Sequence, residues 1–306
     1  MRENKVVYGL IGYGGMGRWH TEILSNVPEA VIGGIYDIKE EKREEAKEKG
    51  FFVYETEEAM LADPDIDVVL IATPNDCHKP IAIRAMHAGK NVISEKPVTL
   101  SSADLLEMEN AAKETGKLLT VHQNRRWDDD FLIIKKLVEE QKLGHVFRIE
   151  SRVHGSRGIP GDWRKEKVHG GGMVLDWGVH LLDQILYMYG DRKIQTVYAS
   201  LTNVTNQEVD DGFTAILTFE GGTEVLVEVG TNNYISLPRW YVLGEDGTAV
   251  IRDWQLNGEI IRKTGMTEET VVPVKTAAGL TKTMAPRREF FLMIRRPPRS
   301  TLFPYT

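Results

Sequence analysis

The chain has 306 residues, 42% hydrophobic and 27% charged, with 45 acids against 38 bases, a net charge of −7 and one cysteine. These are the values of an ordinary globular protein of about two domains, and they exclude disordered and collagen-like classes. No apolar run approaches the roughly 18 residues of a membrane span. The acidic balance lacks the basic face that nucleic acid requires, and a lone Cys77 permits no internal disulfide, which fits a reducing cytoplasm.

Residues 5–11 are an apolar run suited to a buried parallel strand, too short and too glycine-broken for a signal segment. The run ends at Gly12-Tyr13-Gly14-Gly15-Met16-Gly17, and a helical pattern follows through Trp19, Ile23 and Leu24. A second short strand, Ala30 to Tyr36, ends at Asp37. Gly12, Gly14 and Gly17 fill a G-x-G-x-x-G template between strand and helix, and Asp37 stands 20 residues past the last glycine. In such a loop the first glycine permits the tight turn, the second lets the backbone approach a pyrophosphate, and the third lets helix pack on strand. The helix N-terminus then offers N–H groups and a positive dipole end to the phosphates. Asp37 can accept hydrogen bonds from ribose hydroxyls and repels a 2′-phosphate. No arginine stands beside it, although Lys39 is close, so NAD is favoured over NADP. Asp37 also suits a helix N-cap ahead of the charged run 39–49, itself a solvated helix face.

Alternation continues with strand Ile66 to Ala72, helix Pro80 to Ala88, strand Asn91 to Ser94, helix Ser101 to Thr115 and strand Leu118 to His122. Near-continuous apolar strands alternating with helices predict an α/β fold with a doubly wound parallel sheet. Ligands bind such sheets at the carboxyl ends of the strands. That singles out Thr73-Pro74-Asn75-Asp76-Cys77-His78, Glu95-Lys96-Pro97 and Gln123-Asn124-Arg125-Arg126. Lys96, at a strand end and before a proline, can stabilise negative charge on an alkoxide during hydride transfer; a lone lysine is otherwise a solvent-exposed side chain.

Further along, Asp176, His180 and Asp183 stand at i, i+4 and i+7, one face of a helix, after the glycines at 170–172. Oxidising a carbinol needs a base near neutrality, which makes His180 the candidate base and Asp176 its partner and substrate ligand. A capped helix with a satisfied core histidine is the alternative. A metal reading of this pair lacks a third ligand, so no metal is expected. Asn124, Arg125, His154, Trp163, Arg164, Asn233 and Tyr234 fall at junctions or strand ends and offer polar groups and aromatic faces to a substrate pocket, though each singly also suits a structural role. Arg126 with the acids at 128–130 suits a salt-bridged helix start. His20, His87, His122, His145 and His169 receive no catalytic role, and Cys77 reads as a packing residue. The remainder is strand-rich, with runs at 146–153, 194–204, 213–219, 224–229, 240–243, 249–253 and 259–263, and with Gly221-Gly222 and Asp246-Gly247 as hairpin turns.

Taken together, Gly12-x-Gly14-x-x-Gly17, Ala72-Thr73-Pro74-Asn75-x-x-His78, Gly89-Lys90-Asn91-Val92-x-x-Glu95-Lys96-Pro97 and the stretch Gly170 to Asp183 resemble the glucose–fructose oxidoreductase / inositol dehydrogenase / rhizopine-catabolism (Gfo/Idh/MocA) family. The resemblance runs from about residue 5 to the late 280s. It implies a Rossmann domain followed by an α+β domain with a large open mixed sheet, a tightly held nicotinamide cofactor, and oxidation or reduction of a hydroxyl on a sugar or cyclitol. It places Lys96 beside nicotinamide and substrate, often with a cis bond to the proline, and supports Asp176 and His180. Tyr13, Gly15, Met16, Thr73, Pro74, Asn75, His78 and Glu95 join the glycines and Asp37 as expected cofactor contacts, and a homodimer or homotetramer is expected. Two other activities fit the same residues: glycoside cleavage through transient oxidation and elimination, and non-enzymatic NAD and sugar sensing.

The expected domains are 1–123 and 124–289. From Phe290 the chain carries three arginines, three prolines and no acid, without periodicity, and resembles the translation of sequencing-adapter read-through; a native basic tail is the alternative. Without 290–306 the net charge of −7 becomes −10. Family members normally continue through a closing helical segment, so the second domain is expected to lack its last piece.

Overall fold

Apolar runs bounded by turns become strands buried on both faces in the first part of the chain. In this computed structural model, residues 5–263 are described throughout, together with the backbone at 271–276, 279–284 and 292–293. Strand β1 (Val6–Ile11) leads into α1 (Gly15–Leu24), β2 (Ala30–Tyr36), α2 (Glu40–Glu48), α3 (Glu57–Ala62), β3 (Val68–Ile71), α4 (His78–His87), β4 (Asn91–Ser94), α5 (Ser102–Thr115) and β5 (Leu119–Val121). The five strands are parallel in the order β2-β1-β3-β4-β5. Strand order reverses between β1 and β3, the switch point at which such sheets open a ligand crevice. Val69, Ile71, Met60, Met86 and Met108, all fully buried, pack helices on the sheet. Ser101 caps α5 by accepting from the Asp104 N–H at 3.1 Å, and Gly116, left-handed at φ 64°, ends it.

The second assembly begins with α6 (Asp129–Glu139) and β6 (Val146–His154), then α7 (Val179–Tyr189), β7 (Ile194–Thr202), β8 (Gly212–Phe219), β9 (Glu224–Gly230), β10 (Trp240–Gly244), β11 (Gly247–Ile251), β12 (Gly258–Arg262), β13 (Val271–Thr276), β14 (Gly279–Met284) and β15 (Leu292–Met293). Eight strands form one sheet in the order β15-β12-β11-β10-β6-β9-β8-β7, mixed because β6 and β9 run parallel while the other pairs are antiparallel. Alternation is clean where one face is buried: Val225, Val227 and Val229 of β9 point into the core while Leu226 and Glu228 point away. Helices pack on the buried face through Phe131 against Trp240 and Tyr189 stacked on Phe219.

The chain divides into two compact units: 1–124 with 159–179, and 125–158 with 180–306. In place of one boundary at 123 the chain passes between the units three times, after 124, 158 and 179, because residues 159–179 return to the first unit. Tight glycine packing explains the return: a Cβ on Gly170 lies 2.2 Å from a Leu100 methyl, and the Asn75 amide donates to the Gly170 carbonyl at 2.9 Å. The reading of 290–306 as a foreign tail lies outside the described residues, apart from the backbone of β15. No helix among the described residues is long and apolar enough to cross a membrane.

Candidate active site

The glycine loop has the geometry its three positions require. Gly12 is left-handed at φ 97°, and a Cβ there meets the Ala72 carbonyl oxygen at 2.5 Å. A Cβ on Gly17 sits 2.1 Å from the Gly12 carbonyl oxygen, so α1 reaches the loop only as glycine. Gly14 differs: a Cβ there meets no protein atom within 4 Å, and the same holds for Gly15. Packing therefore forces glycine at 12 and 17, whereas at 14 it leaves open space. Helix α1 opens on Gly14 and Gly15 with no side-chain cap and no acid in its first turn, which leaves its N-terminus available to an anion. These features fit a dinucleotide. Asp37, at the end of β2, accepts the Tyr13 N–H at 2.6 Å and the Lys39 N–H at 2.9 Å. It thus braces the glycine loop; the N-cap of α2 is Lys39, with no side-chain cap, so Asp37 is not the helix cap that its position suggested. Arg43 donates to the Asp37 and Ile38 carbonyls at 2.8 and 3.1 Å, a guanidinium that sequence spacing did not bring to this place.

Past β3, Thr73 and Pro74 form the next loop and Asn75 turns inward to hold Gly170. His78 is fully buried, with Nδ1 2.8 Å from the Pro97 carbonyl and Nε2 3.0 Å from the Thr73 carbonyl. It bridges the loop after β3 to the loop after β4. Burial pushes the imidazole below its ordinary range, against the pull of the two carbonyls.

Lys96 follows β4 and reaches the segment that returns to this unit. Its ammonium donates to Asp176 Oδ1 at 2.9 Å and to the Asp176 carbonyl at 3.0 Å. The Arg164 guanidinium, lying over the Trp163 ring at 4.7 Å, adds a bond to the same carboxylate oxygen at 3.2 Å. Burial opposes ionisation of Asp176, but Lys96 and Arg164 outweigh it and hold the carboxyl below its usual range. The Lys96–Pro97 bond is cis, as the resemblance implied. Asp176 sits in a π-helical turn, Val174–Gly178, that runs directly into α7. Such turns are often found at functional sites, and the buried His180 is the second residue of α7.

Other expected residues divide. Asp183 is engaged by Arg126 in a two-pronged ion pair at 2.6 and 2.7 Å, so it does not join Asp176. His154 uses both ring nitrogens inside the second unit, Nδ1 accepting the Leu237 N–H at 3.2 Å and Nε2 facing Glu228 at 3.1 Å, which leaves neither for a sugar hydroxyl. Tyr234 is 82% exposed in a loop after β9. Asn124 opens a short 3-10 turn, and the helix start after it pairs Arg125 with Asp128 rather than Arg126 with these acids. Sequence reading passed over His20 and His122, which converge on Glu95 from α1 and from the residue after β5. The placement of His20, three residues past the last glycine and on the buried side of the helix, was the available signal.

Comparison with known proteins agrees with this geometry. Residues 6–123 match the family model of the Gfo/Idh/MocA oxidoreductases with an NAD-binding Rossmann fold, and residues 131–250 match that family's C-terminal domain. An NAD-binding protein from Listeria innocua has a solved structure with a TM-score of 0.92 and 51% identity, covering 98% of this chain and 87% of that one. The scyllo-inositol 2-dehydrogenase (NADP(+)) IolW of Bacillus subtilis is 31% identical across 79% of this chain and 67% of its own. The myo-inositol 2-dehydrogenase of Thermotoga maritima is 30% identical across 70% and 65%. With the oxidoreductase YdgJ of Escherichia coli, 35% identical over 69% of this chain, the match spans 61% of that protein's length.

Proposed function

The chain belongs to the Gfo/Idh/MocA oxidoreductase family, and from that premise we propose that it exchanges a hydride between NAD and a secondary hydroxyl of a cyclitol or sugar. The observation that carries the proposal is the partly buried Lys96–Asp176–Arg164 cluster at the carboxyl end of β4, in the unit that bears the glycine loop. Inositol dehydrogenases among the relatives support the substrate class. Gly12, Gly14, Gly17 and the N-terminus of α1 hold the pyrophosphate of NAD, Asp37 takes the adenosine ribose, and Thr73 and Pro74 flank the nicotinamide half. Bound NAD supplies the hydride acceptor.

The chain's own residues manage proton and charge. His180 takes the proton from the carbinol O–H as the C–H electron pair departs, and the oxygen becomes a carbonyl oxygen. Lys96 turns an N–H toward that oxygen as negative charge gathers on it, a stabilisation concentrated in the transition state. Asp176 positions Lys96 and balances its charge, while Arg164 keeps Asp176 ionised. A subunit assembly of two or four copies and preference for NAD over NADP complete the reading.

The test is absorbance at 340 nm with NAD and either myo- or scyllo-inositol, paired with fluorescence titration of NADH. NADH binding with cyclitol-dependent NADH production supports the proposal. Absence of NADH binding overturns it, and cleavage of a glycoside without net NADH replaces hydride exchange by transient oxidation and elimination. His180→Ala with unchanged turnover removes the base assignment alone.

A further inference from the structure

Glu95 is 5% exposed, a carboxylate placed where charge is costly unless it is closely paired. One oxygen, Oε1, lies 2.7 Å from His20 Nε2 and 3.0 Å from His122 Nδ1. The other, Oε2, accepts the backbone N–H of Lys96 at 3.2 Å. Burial alone would raise the carboxyl, yet the His122 and His20 bonds draw it far below the ordinary carboxylate range. An ionised carboxylate only accepts, so both facing ring nitrogens must carry hydrogen. The tautomers follow: Nε2–H on His20 and Nδ1–H on His122. The two rings meet edge to face with centroids 4.7 Å apart, and Trp19 packs against both at 5.1 and 5.6 Å.

We propose that His20, Glu95 and His122 form a positioning network for Lys96, holding its backbone at the end of β4 and fixing that end to the glycine-loop helix. The inference rests on Lys96 as the charge-stabilising residue. Each member comes from a different element: His20 from α1, the helix that follows the glycine loop; Glu95 from the end of β4; His122 from the end of β5. Three elements thus meet at one carboxylate. Its Oε2 accepts the N–H of the peptide from which the Lys96 side chain extends to Asp176, so helix and lysine keep one register. Displacing a charged donor by about 1 Å costs catalysis orders of magnitude, which gives such support a kinetic consequence without contact to substrate. The three donors also lie within 4.8 Å of one another, as metal ligands would. Hydrogen bonds already account for both short distances, and no fourth ligand joins the cluster among the described residues.

Two measurements on the full chain test this. Histidine nitrogen NMR of the unsubstituted protein at pH 8 should show His20 protonated at Nε2 and His122 at Nδ1. Hydrogen exchange should show the Lys96 amide opening at least tenfold faster in Glu95→Gln, where an NH2 replaces one accepting oxygen, with strands of the second unit unchanged. In turnover, His20→Ala should lower kcat at least tenfold with the cyclitol KM within twofold, and His20→Gln, which restores a side-chain donor, should recover to within threefold. A stoichiometric metal with both facing nitrogens deprotonated overturns the proposal, as does unchanged Lys96 exchange in Glu95→Gln, or His20→Gln as impaired as His20→Ala. If the unsubstituted chain turns over no cyclitol, the functional reading fails, while NMR and exchange still decide the network.

Discussion

At the scale of single residues, the Lys96–Asp176–Arg164 cluster places two cations on one carboxylate oxygen. Asp176→Asn leaves both cations facing a neutral amide in a largely buried setting. The expected result is a fall of roughly 100-fold in kcat/KM, about 2.7 kcal/mol of transition-state stabilisation, with NADH affinity within threefold. Steady-state kinetics beside NADH fluorescence measure both, and equal loss of NADH binding would mean that Asp176 supports the cofactor rather than the reacting carbon. Lys96, Asp176 and the three glycines could be singled out in the sequence because each stands in a local pattern: a strand, a loop of fixed spacing, a helix. The Glu95 network was not legible, since its histidines lie 75 and 27 residues away and meet only because β4 and β5 are neighbours and His20 reaches the end of β4 from α1. Asp183 misled for the opposite reason. Its helical spacing from Asp176 is correct in sequence, but the π turn shifts the phase and Arg126 captures the carboxylate.

At the scale of elements, the loop between β1 and α1 separates packing from binding. Gly17→Ala forces a Cβ into the Gly12 carbonyl, so α1 must move away from β1; the expected cost is about 1–3 kcal/mol of stability, in the range of overpacked sites. Gly14→Ala adds a methyl to open space in a backbone conformation that alanine adopts, φ −75° and ψ −156°. It should leave the urea midpoint nearly unchanged while weakening NADH at least tenfold, because the methyl occupies the approach to the phosphates. Urea unfolding and NADH titration of the two variants should therefore give opposite patterns. Parallel losses in both would make Gly14 a folding residue and remove it from the cofactor site. Strand positions were largely readable from the apolar runs, because a buried parallel strand has little choice of residue. Helix α3 escaped notice: six residues with Glu57 and Glu58 in its first turn carry too short a periodicity to register.

At the scale of the whole molecule, sequence indicated two domains, yet not that residues 159–179 rejoin the first, since that depends on Gly170 against Leu100 and on Asn75 reaching its carbonyl. Stability against pH follows from groups in both units. His78 has its imidazolium disfavoured by burial, so its folded value lies below the unfolded value of about 6.5. The unfolded chain then binds the extra proton first, and stability declines as pH falls below about 6.5 toward the folded value. Carboxyls act in the same sense at lower pH: Glu95 and Asp176 in the first unit, with Asp211, Glu228 and Glu150 in the second, are all depressed. Their contribution is full above the unfolded values of about 4 and is lost as pH falls through the folded ones. Urea midpoints should be flat from pH 8 to 7, fall modestly between 6.5 and 5, and fall steeply below about 4. His78→Gln should flatten the first decline and leave the second, whereas Glu95→Gln should blunt the second and leave the first. A midpoint in the unsubstituted chain that is level from pH 8 to 5 would show that His78 enters the folded state as readily charged as neutral, with both carbonyls accepting from it. The bridge between Thr73 and Pro97 would then be an imidazolium clamp rather than a neutral spacer.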